Sequence, residues 1–269
     1  MQLLYYVRMG KRLRLRNPQR FSEKLNWMKL YDRNPLYTAL ADKYAVREYI
    51  ARKIGSEYLI PLLGVWQRPQ EIEAAALPDR FVLKCTHDSG SVIRCTDKKT
   101  FDWAAARAKL ERSFGMNYFY PAREWPYRDI VPRVIAEKYM VDESGTELKD
   151  YKIFNFNGEP RYIQVDYDRF VHHERKLYDV RWRDTQIQFE YPYNAQTKIE
   201  KPDGLEEMLS LARTLSAGFP FLRTDFYSVN GKVYFGELTF YPEAGFGRFT
   251  PERYDEVFGA YIQEMKYRG

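Results

Sequence analysis

Two runs late in the sequence place acids where strands would carry them. Leu222-Arg223-Thr224-Asp225-Phe226-Tyr227 and Val233-Tyr234-Phe235-Gly236-Glu237-Leu238-Thr239 are rich in β-branched and aromatic residues, and Asn230-Gly231 between them is a strong hairpin signal. A carboxylate inside such a strand needs a compensating charge or a metal. Two carboxylates over one divalent ion is the chemistry the pair allows, and magnesium with a nucleotide phosphate is its natural candidate. An ordinary hairpin with a surface ion pair between Arg223 and an acid explains this segment equally well.

Register decides whether the acids can cooperate. If Asn230-Gly231 is a two-residue turn, Val229 pairs with Lys232, and Asp225 and Glu237 face opposite sides of the sheet. A three-residue loop Val229-Asn230-Gly231, with Gly231 left-handed as a bulge, pairs Ser228 with Lys232 and places Arg223, Asp225, Glu237 and Thr239 on one face. Apolar alternation does not choose between the two, because both faces are mixed. A shared metal therefore carries the expectation that Gly231 closes a three-residue loop.

The elements that must position these groups can be traced along the chain. Ser22 can cap a helix over Phe21 to Tyr31, and a second helix is expected from about Pro35 to Lys53, ending at Gly55. Pro61 to Val65 is a short apolar run. Phe81 to Cys85 reads as a buried strand containing Lys84, with the loop His87-Asp88-Ser89-Gly90-Ser91 and a return strand Val92 to Cys95. Phe101 to Phe114 reads as a helix, Tyr118 to Tyr127 as a loop broken by prolines, and Val134 to Met140 as a strand. Asp142 to Glu147 is expected to turn around Gly145. A second hairpin runs from Tyr151 to Phe156 and Arg161 to Val165 through Asn157-Gly158, and Leu205 to Ser216 is an amphipathic helix. No repeat or low-complexity tract interrupts the series.

At 269 residues, 45% hydrophobic and 30% charged, the chain can bury a full core as one large domain or two lobes. No apolar run approaches the length that spans a bilayer, and the N-terminus lacks the pattern of a secretory signal, so a cytoplasmic location is expected. Cys85 and Cys95 lack CxxC spacing and are expected to be reduced. His87, His172 and His173 are too scattered for a zinc set and read as exposed or locally bonded histidines. The net charge of +6 suggests an anionic partner. Much of the excess lies in Arg8, Lys11, Arg12, Arg14, Arg16 and Arg20; the apolar run Met1 to Val7 before them could lie on a membrane interface, although a solvated helix is the default. No nucleic-acid motif is present, so no nucleic-acid partner is expected.

Lys84 on a strand before a Ser-Gly-Ser loop can place an ammonium on phosphate oxygens while the loop backbone donates N–H bonds to them. A lysine snorkelling to solvent beside a plain turn is the ordinary alternative. Neither GxxxxGK[ST] nor GxGxxG occurs, which disfavours P-loop and Rossmann chemistry.

In order, the chain offers Asp42-Lys43, Lys84 with its small-residue loop, Glu137-Lys138-Tyr139-Met140, Asp150-Tyr151-Lys152, Arg223-Thr224-Asp225 and Glu237-Leu238-Thr239. This series resembles the ATP-grasp superfamily. More narrowly, Asn17-Pro18 through Phe21-Ser22-Glu23-Lys24-Leu25, Ala41-Asp42-Lys43-Tyr44 and Gly236-Glu237-Leu238-Thr239-Phe240-Tyr241-Pro242 are similar to the TupA-like ATP-grasp proteins of surface-polysaccharide and teichuronopeptide biosynthesis.

The resemblance implies an α+β ATP-grasp fold, with two lobes of antiparallel sheet and packed helices gripping ATP between them. It divides the chain into a helical N-terminal segment (1–60), an N-lobe (61–140) and a C-lobe with the metal hairpin (141–269), the first standing in place of a full preceding domain. It further implies that Lys43 and Lys84 neutralise ATP phosphates under Ser89, Gly90 and Ser91, and that Glu137 and the backbone of Lys138 and Met140 meet adenine. Asp150 falls where the family often has a ribose-binding acid, with Lys152 two residues on as in the Asp-x-Arg pair of tubulin-ligase-like members. Asp225 and Glu237 would hold magnesium and Arg223 would steady the transferred phosphoryl group. Thr239 stands where many members have asparagine.

The implied activity is carboxylate–amine ligation. ATP phosphorylates a carboxylate, and an amino acid or other amine attacks the acyl phosphate. The acceptor suggested is a uronic acid of an acidic glycan or its precursor, with a pocket built from the basic N-terminal helices, the loop Tyr241 to Arg248, or a partner. A glycan or small-molecule kinase and a non-catalytic nucleotide-binding scaffold are the alternatives.

Overall fold

The computed structural model describes residues 1–142, 148–167 and 174–263. His172, His173 and the expected turn beyond Asp142 lie outside them. In chain order the helices are α1 (Gln2–Met9), α2 (Phe21–Tyr31), α3 (Leu36–Ala41), α4 (Val46–Lys53), α5 (Trp103–Phe114), α6 (Phe119–Ala122), α7 (Leu205–Ser216) and α8 (Arg253–Tyr261). The strands are β1 (Leu62–Trp66), β2 (Phe81–Cys85), β3 (Ile93–Cys95), β4 (Val134–Lys138), β5 (Asp150–Phe156), β6 (Glu159–Tyr167), β7 (Glu174–Asp179), β8 (Gln188–Phe189), β9 (Phe221–Val229), β10 (Lys232–Thr239) and β11 (Phe249–Thr250).

The chain forms two compact units, one of Arg33–Val141 and one of Met1–Asp32 with Asp142–Gly269. The helical segment expected over 1–60 is therefore divided at Asp32 and is not a body of its own. Its first part is anchored to the C-terminal helix. Ser22 donates its N–H and hydroxyl to Asp255 at 2.8 and 2.6 Å, and Lys24 donates to the Ile262 carbonyl. Ser22 thus does not cap α2; the Glu23 carboxylate does, accepting the N–H groups of Gln19 and Arg20. The single helix expected from Pro35 to Lys53 is also broken. Asp42 Oδ1 accepts the N–H groups of Tyr44 and Ala45, so a side chain competes with the helical ladder and separates α3 from α4.

The Arg33–Val141 unit is built on an antiparallel sheet in the order β1-β4-β2-β3. Along β2, Phe81, Leu83 and Cys85 are fully buried while Val82 and Lys84 are half-buried, the alternation of a strand with one core face. The core face packs with Leu110 of α5, Val134 and Ala136, and the rings of Phe81, Phe101 and Trp103 all contact one another. Both cysteines are free and buried. His87 is buried with its ring on the Ser113 carbonyl, 26 residues away, and is neither exposed nor locally bonded.

The other unit carries a five-stranded antiparallel sheet in the order β10-β9-β5-β6-β7. Register puts Tyr151, Ile153, Ile163, Val165, Thr224 and Phe226 on one face, and Asp150, Lys152, Gln164, Asp166 and Asp225 on the other. Helix α7 packs on β5, β6 and β9. Phe21 of α2 anchors the N-terminal helices among the rings of Phe154, Phe156, Phe221, Phe249 and Phe258. Five such edge and tilted contacts make truncation of Phe21 costly, on the order of 3–5 kcal/mol.

Candidate active site

In the Arg33–Val141 unit, Lys84 lies on the half-buried side of β2, and its ammonium meets Glu137 Oε2 of β4 at 2.7 Å. Glu137 is 7% exposed, and its other oxygen takes Arg47 Nη1 at 3.4 Å while Arg47 Nη2 donates to the Ile60 carbonyl. Burial lowers the Arg47 pKa against the pull of Glu137. Glu137 is thus the anchor of a lysine and an arginine, which leaves its carboxylate committed within the sheet. The Lys138 N–H is also engaged, by the Pro61 carbonyl at 2.9 Å; the Lys138 side chain is exposed and Met140 is half-buried.

The β2–β3 loop divides its small residues by task. Ser89 and Gly90 are exposed at the tip, with Gly90 at φ +106 and open space around it. Ser91 is buried; its hydroxyl donates to Asp88 Oδ1 at 2.6 Å and accepts the Cys85 N–H at 2.8 Å, so it shapes the loop. Lys43 reaches the same loop, its ammonium donating to the Asp88 carbonyl and its N–H to the Thr86 carbonyl. Lys43 and Lys84 are therefore both tied to one hairpin.

The acidic hairpin corrects the expectation about its turn. Asn230 and Gly231, at φ 51 and 75, make a two-residue turn, and Val229 pairs with Lys232. That register alone would send Asp225 and Glu237 to opposite faces. It shifts between Phe235 and Glu237, where Gly236 is the extra residue, and beyond it Glu237 pairs with Asp225 and Thr239 with Arg223. The four side chains share a face because of a bulge five residues past the turn.

They also touch. Arg223 is 6% exposed and Asp225 1%. Arg223 donates Nε and Nη2 to the two Asp225 oxygens at 2.8 and 2.7 Å, a bidentate pair, and Nη2 also reaches Glu237 Oε1 at 3.2 Å and Thr239 Oγ1 at 3.0 Å. Burial pushes the Asp225 carboxyl up, to about 7, against Arg223 and with the help of the Glu237 charge. Burial works against the Arg223 cation as well, but the Asp225 and Glu237 carboxylates outweigh it and hold its pKa above the usual value. Glu237 keeps 44% of its side chain exposed, which makes it the open carboxylate of the pair.

Across the sheet Lys152 is directly opposite Asp225, and its ammonium sits 2.5 Å from Asp166 and 3.5 Å from Asp150. Arg175, 3% exposed, donates to Asp166 at 2.6 Å and to Glu243 at 2.8 Å. Glu243 and Ala244 hold left-handed φ values of 49 and 51 ahead of Gly245, a conformation costly for side-chain-bearing residues. That turn is secured by Arg175, by Lys29 on the Ala244 carbonyl and by Asn26 on the Gly245 carbonyl, each at 2.7–2.8 Å. Helix α2 and the loop Tyr241 to Arg248, both expected near a substrate pocket, are thus one hydrogen-bonded structure. Asp166, Arg175 and Arg47 were not singled out in the sequence. Asp166 carried a signal, because Asp150, Lys152, Gln164 and Asp166 fall on one face of the hairpin through Asn157-Gly158.

Two carboxylates and a hydroxyl are hard oxygen donors, and each Asp225 oxygen that accepts from Arg223 retains a second lone pair. Among the described residues no group of three or more His, Cys, Asp or Glu side chains could cage a metal. The set suits a magnesium ion that takes its remaining ligands from phosphate and water, not a dedicated protein cage.

No helix among the described residues is long and apolar enough to cross a membrane. No curated protein matches the chain. Among solved structures it is similar to the ATP complex of D-alanine–D-alanine ligase from Bacillus anthracis, with 16% identity and a TM-score of 0.47 over 83% of this chain and 65% of that one. It is also similar to the Helicobacter pylori D-alanine–D-alanine ligase (12% identity, TM-score 0.46, 90% of this chain, 70% of that). A third is the D-cycloserine synthetase DcsG (16% identity, TM-score 0.48, 90% of this chain, 77% of that). The chain thus spans just under two thirds of the length of the Bacillus anthracis ligase. The model of the TupA-like ATP-grasp family matches residues 23–263, and with its mixed helices and antiparallel sheets the chain belongs to that family and to the ATP-grasp fold.

Proposed function

We propose that the chain binds ATP with magnesium and joins a carboxylate to an amine through an acyl phosphate. The observation that carries this is the direct pairing of Asp225 with Glu237 on one face, with Arg223 Nη2 touching both. Asp225 and Glu237 would hold the ion, with Thr239 behind them; bound there, magnesium neutralises phosphate charge. Arg223 orients the two carboxylates, and in this role it differs from a residue that reaches out to a phosphoryl group. Lys152, fixed by Asp150 and Asp166, presents positive charge beside Asp225. Lys43 and Lys84 neutralise phosphates with the Ser89-Gly90 backbone, while Ser91 braces the loop. Lys138 and Met140 border adenine, Glu137 positions Lys84, and Asp150 meets ribose.

Phosphoryl transfer needs positioning and charge neutralisation more than covalent work by the protein, and this inventory supplies both. A carboxylate oxygen of the acceptor attacks the γ-phosphorus and breaks its bond to the oxygen that leaves with ADP. The amine nitrogen then attacks the acyl carbon, loses a proton, and expels phosphate that carries the acceptor's oxygen. The acceptor we infer is a uronic acid of an acidic glycan or its precursor, the amine an amino acid or amino sugar, and the setting cytoplasmic. ADP release should require an acidic acceptor and an amine together. A stable phosphorylated acceptor formed without amine would make the protein a kinase.

A further inference from the structure

Helix α1 has no part in the chemistry above, and it carries apolar residues on two faces. Tyr5 holds one face to the body of the protein: it is fully buried, its hydroxyl shares a hydrogen bond with Ser22 at 2.8 Å, and its ring lies against Phe246. At about 100° per residue, Leu3, Tyr6 and Val7 fall together on the opposite face. They are 76%, 61% and 68% exposed, so a leucine, a tyrosine ring and a valine stand side by side in water. Cations border this face. Residues 1–22 contain Arg8, Lys11, Arg12, Arg14, Arg16 and Arg20, and no acid. Three of these are paired from elsewhere: Lys11 with Glu252, Arg14 with Glu23 and Arg20 with Glu256. Among the described residues the guanidinium groups of Arg8, Arg12 and Arg16 make no hydrogen bond or ion pair, and all three residues are exposed. Gly10, at φ 69, ends α1, and Gln2 Nε2 then donates to the Leu13 carbonyl at 3.0 Å, which lays the stretch with Arg12 along the edge formed by Gln2 and Tyr6. Arg8 flanks the other edge, its carbonyl held by Arg248 Nε at 3.0 Å.

We propose that α1 seats the protein on a membrane surface rich in anionic lipid, with Leu3, Tyr6 and Val7 entering the headgroup region and Arg8, Arg12 and Arg16 meeting the lipid phosphates. Aliphatic side chains beside an amphipathic tyrosine ring, rimmed by long cationic side chains, are what an interfacial helix presents. Neither signal suffices alone. Three apolar side chains bury too little area for stable adsorption, and each cation beside an anionic surface multiplies the affinity about fivefold. A soluble polyanion would take the arginines and leave the leucine and the valine in water. A protein partner calls for a matched surface of about 20–30 residues a side, whereas a fluid bilayer accepts a patch this small without a matching shape. The proposal does not depend on the ligase reading.

The test is co-sedimentation of the full chain with vesicles of phosphatidylcholine alone and of phosphatidylcholine mixed with phosphatidylglycerol, together with gel filtration of the protein without lipid. Binding to the mixed vesicles is expected, with little to phosphatidylcholine alone. It should weaken about twentyfold in an Arg12→Gln/Arg16→Gln double variant and about tenfold or more in a Leu3→Ser/Val7→Ser double variant. Both variants alter exposed side chains, so their melting temperatures should match the wild type. Absence of binding to the mixed vesicles, or equal binding to both kinds, would overturn the proposal. So would undiminished binding of the Leu3→Ser/Val7→Ser protein, which would reduce the contact to plain charge attraction. An oligomer in gel filtration that the same variant dissociates would make the face an interface between copies of the chain and would equally overturn it.

Discussion

Glu237 stands directly opposite Asp225 across β9 and β10, although the turn joining those strands is only two residues long. A regular hairpin with that turn separates the two carboxylates by the thickness of the sheet. The bulge at Gly236 reverses the parity, and a Cβ at this residue would lie 3.1 Å from the Asp225 carbonyl oxygen and from the Tyr227 ring. The acidic pair exists because one residue is inserted there and because that residue is a glycine.

Deleting Gly236 should therefore restore a continuous ladder from the Asn230-Gly231 turn and carry Glu237 and Thr239 to the other face. The deletion protein is expected to lose magnesium-dependent turnover. Gly236→Val, which keeps the residue count but crowds the Asp225 backbone, should cost about 1–3 kcal/mol of stability by denaturant titration. A deletion protein with normal turnover would refute the shared face.

The two acids should respond differently to neutralisation. Asp225→Asn removes the partner of a buried arginine and is expected to cost about 3–5 kcal/mol of stability. Glu237→Gln touches a half-exposed carboxylate; stability should stay within roughly 0.5 kcal/mol while turnover falls by about a hundredfold. Comparing denaturation curves with initial rates separates the effects, and an unstable but active Glu237→Gln protein would contradict the assignment.

Lys84→Ala should weaken MgATP binding by about tenfold or more in calorimetry, since a charge-assisted hydrogen bond contributes about 1.5–3 kcal/mol. Arg47 remains on Glu137 in that variant, so the sheet should stay folded. Unchanged affinity would remove Lys84 from the nucleotide site.

Burial pushes the Cys85 thiol up from 9.0, to about 12, with Asp88 adding to the shift. The folded pKa lies above the unfolded one. The resulting stabilisation is complete below about pH 9 and is lost as the pH rises towards 12. Tyr5 and Tyr178, also pushed up to about 12 by burial, act in the same direction. Cys85 should resist alkylation at pH 8 until denaturant is added, and the denaturation midpoint should fall steadily above pH 9. Rapid labelling of Cys85 in the native protein would show that the β2 core is open.

Much of this was legible in the sequence because it is local. The hairpin turns at Asn157-Gly158 and Asn230-Gly231, the buried strand around Lys84 and helix α7 all follow from turn chemistry and apolar period. The parity of the acidic hairpin was read from the turn alone, whereas Gly236, an isolated glycine inside a strand pattern, was the signal of the bulge that sets it. The break between α3 and α4 came from Asp42 competing with the helix backbone, and the capping of α2 from Glu23 in place of Ser22. Least legible was the lattice of Asp166, Arg175 and Glu243. Each of these is an ordinary surface residue by type, and only strand pairing and the strained turn after β10 bring them together.

The most direct test uses an acidic acceptor whose carboxylate carries oxygen-18, incubated with the protein, MgATP and an amine, followed by mass analysis of the released phosphate. Oxygen-18 in the phosphate, one atom for each ADP formed, is the result expected of an acyl-phosphate ligase. Unlabelled phosphate, or label retained in a phosphorylated acceptor, would contradict it.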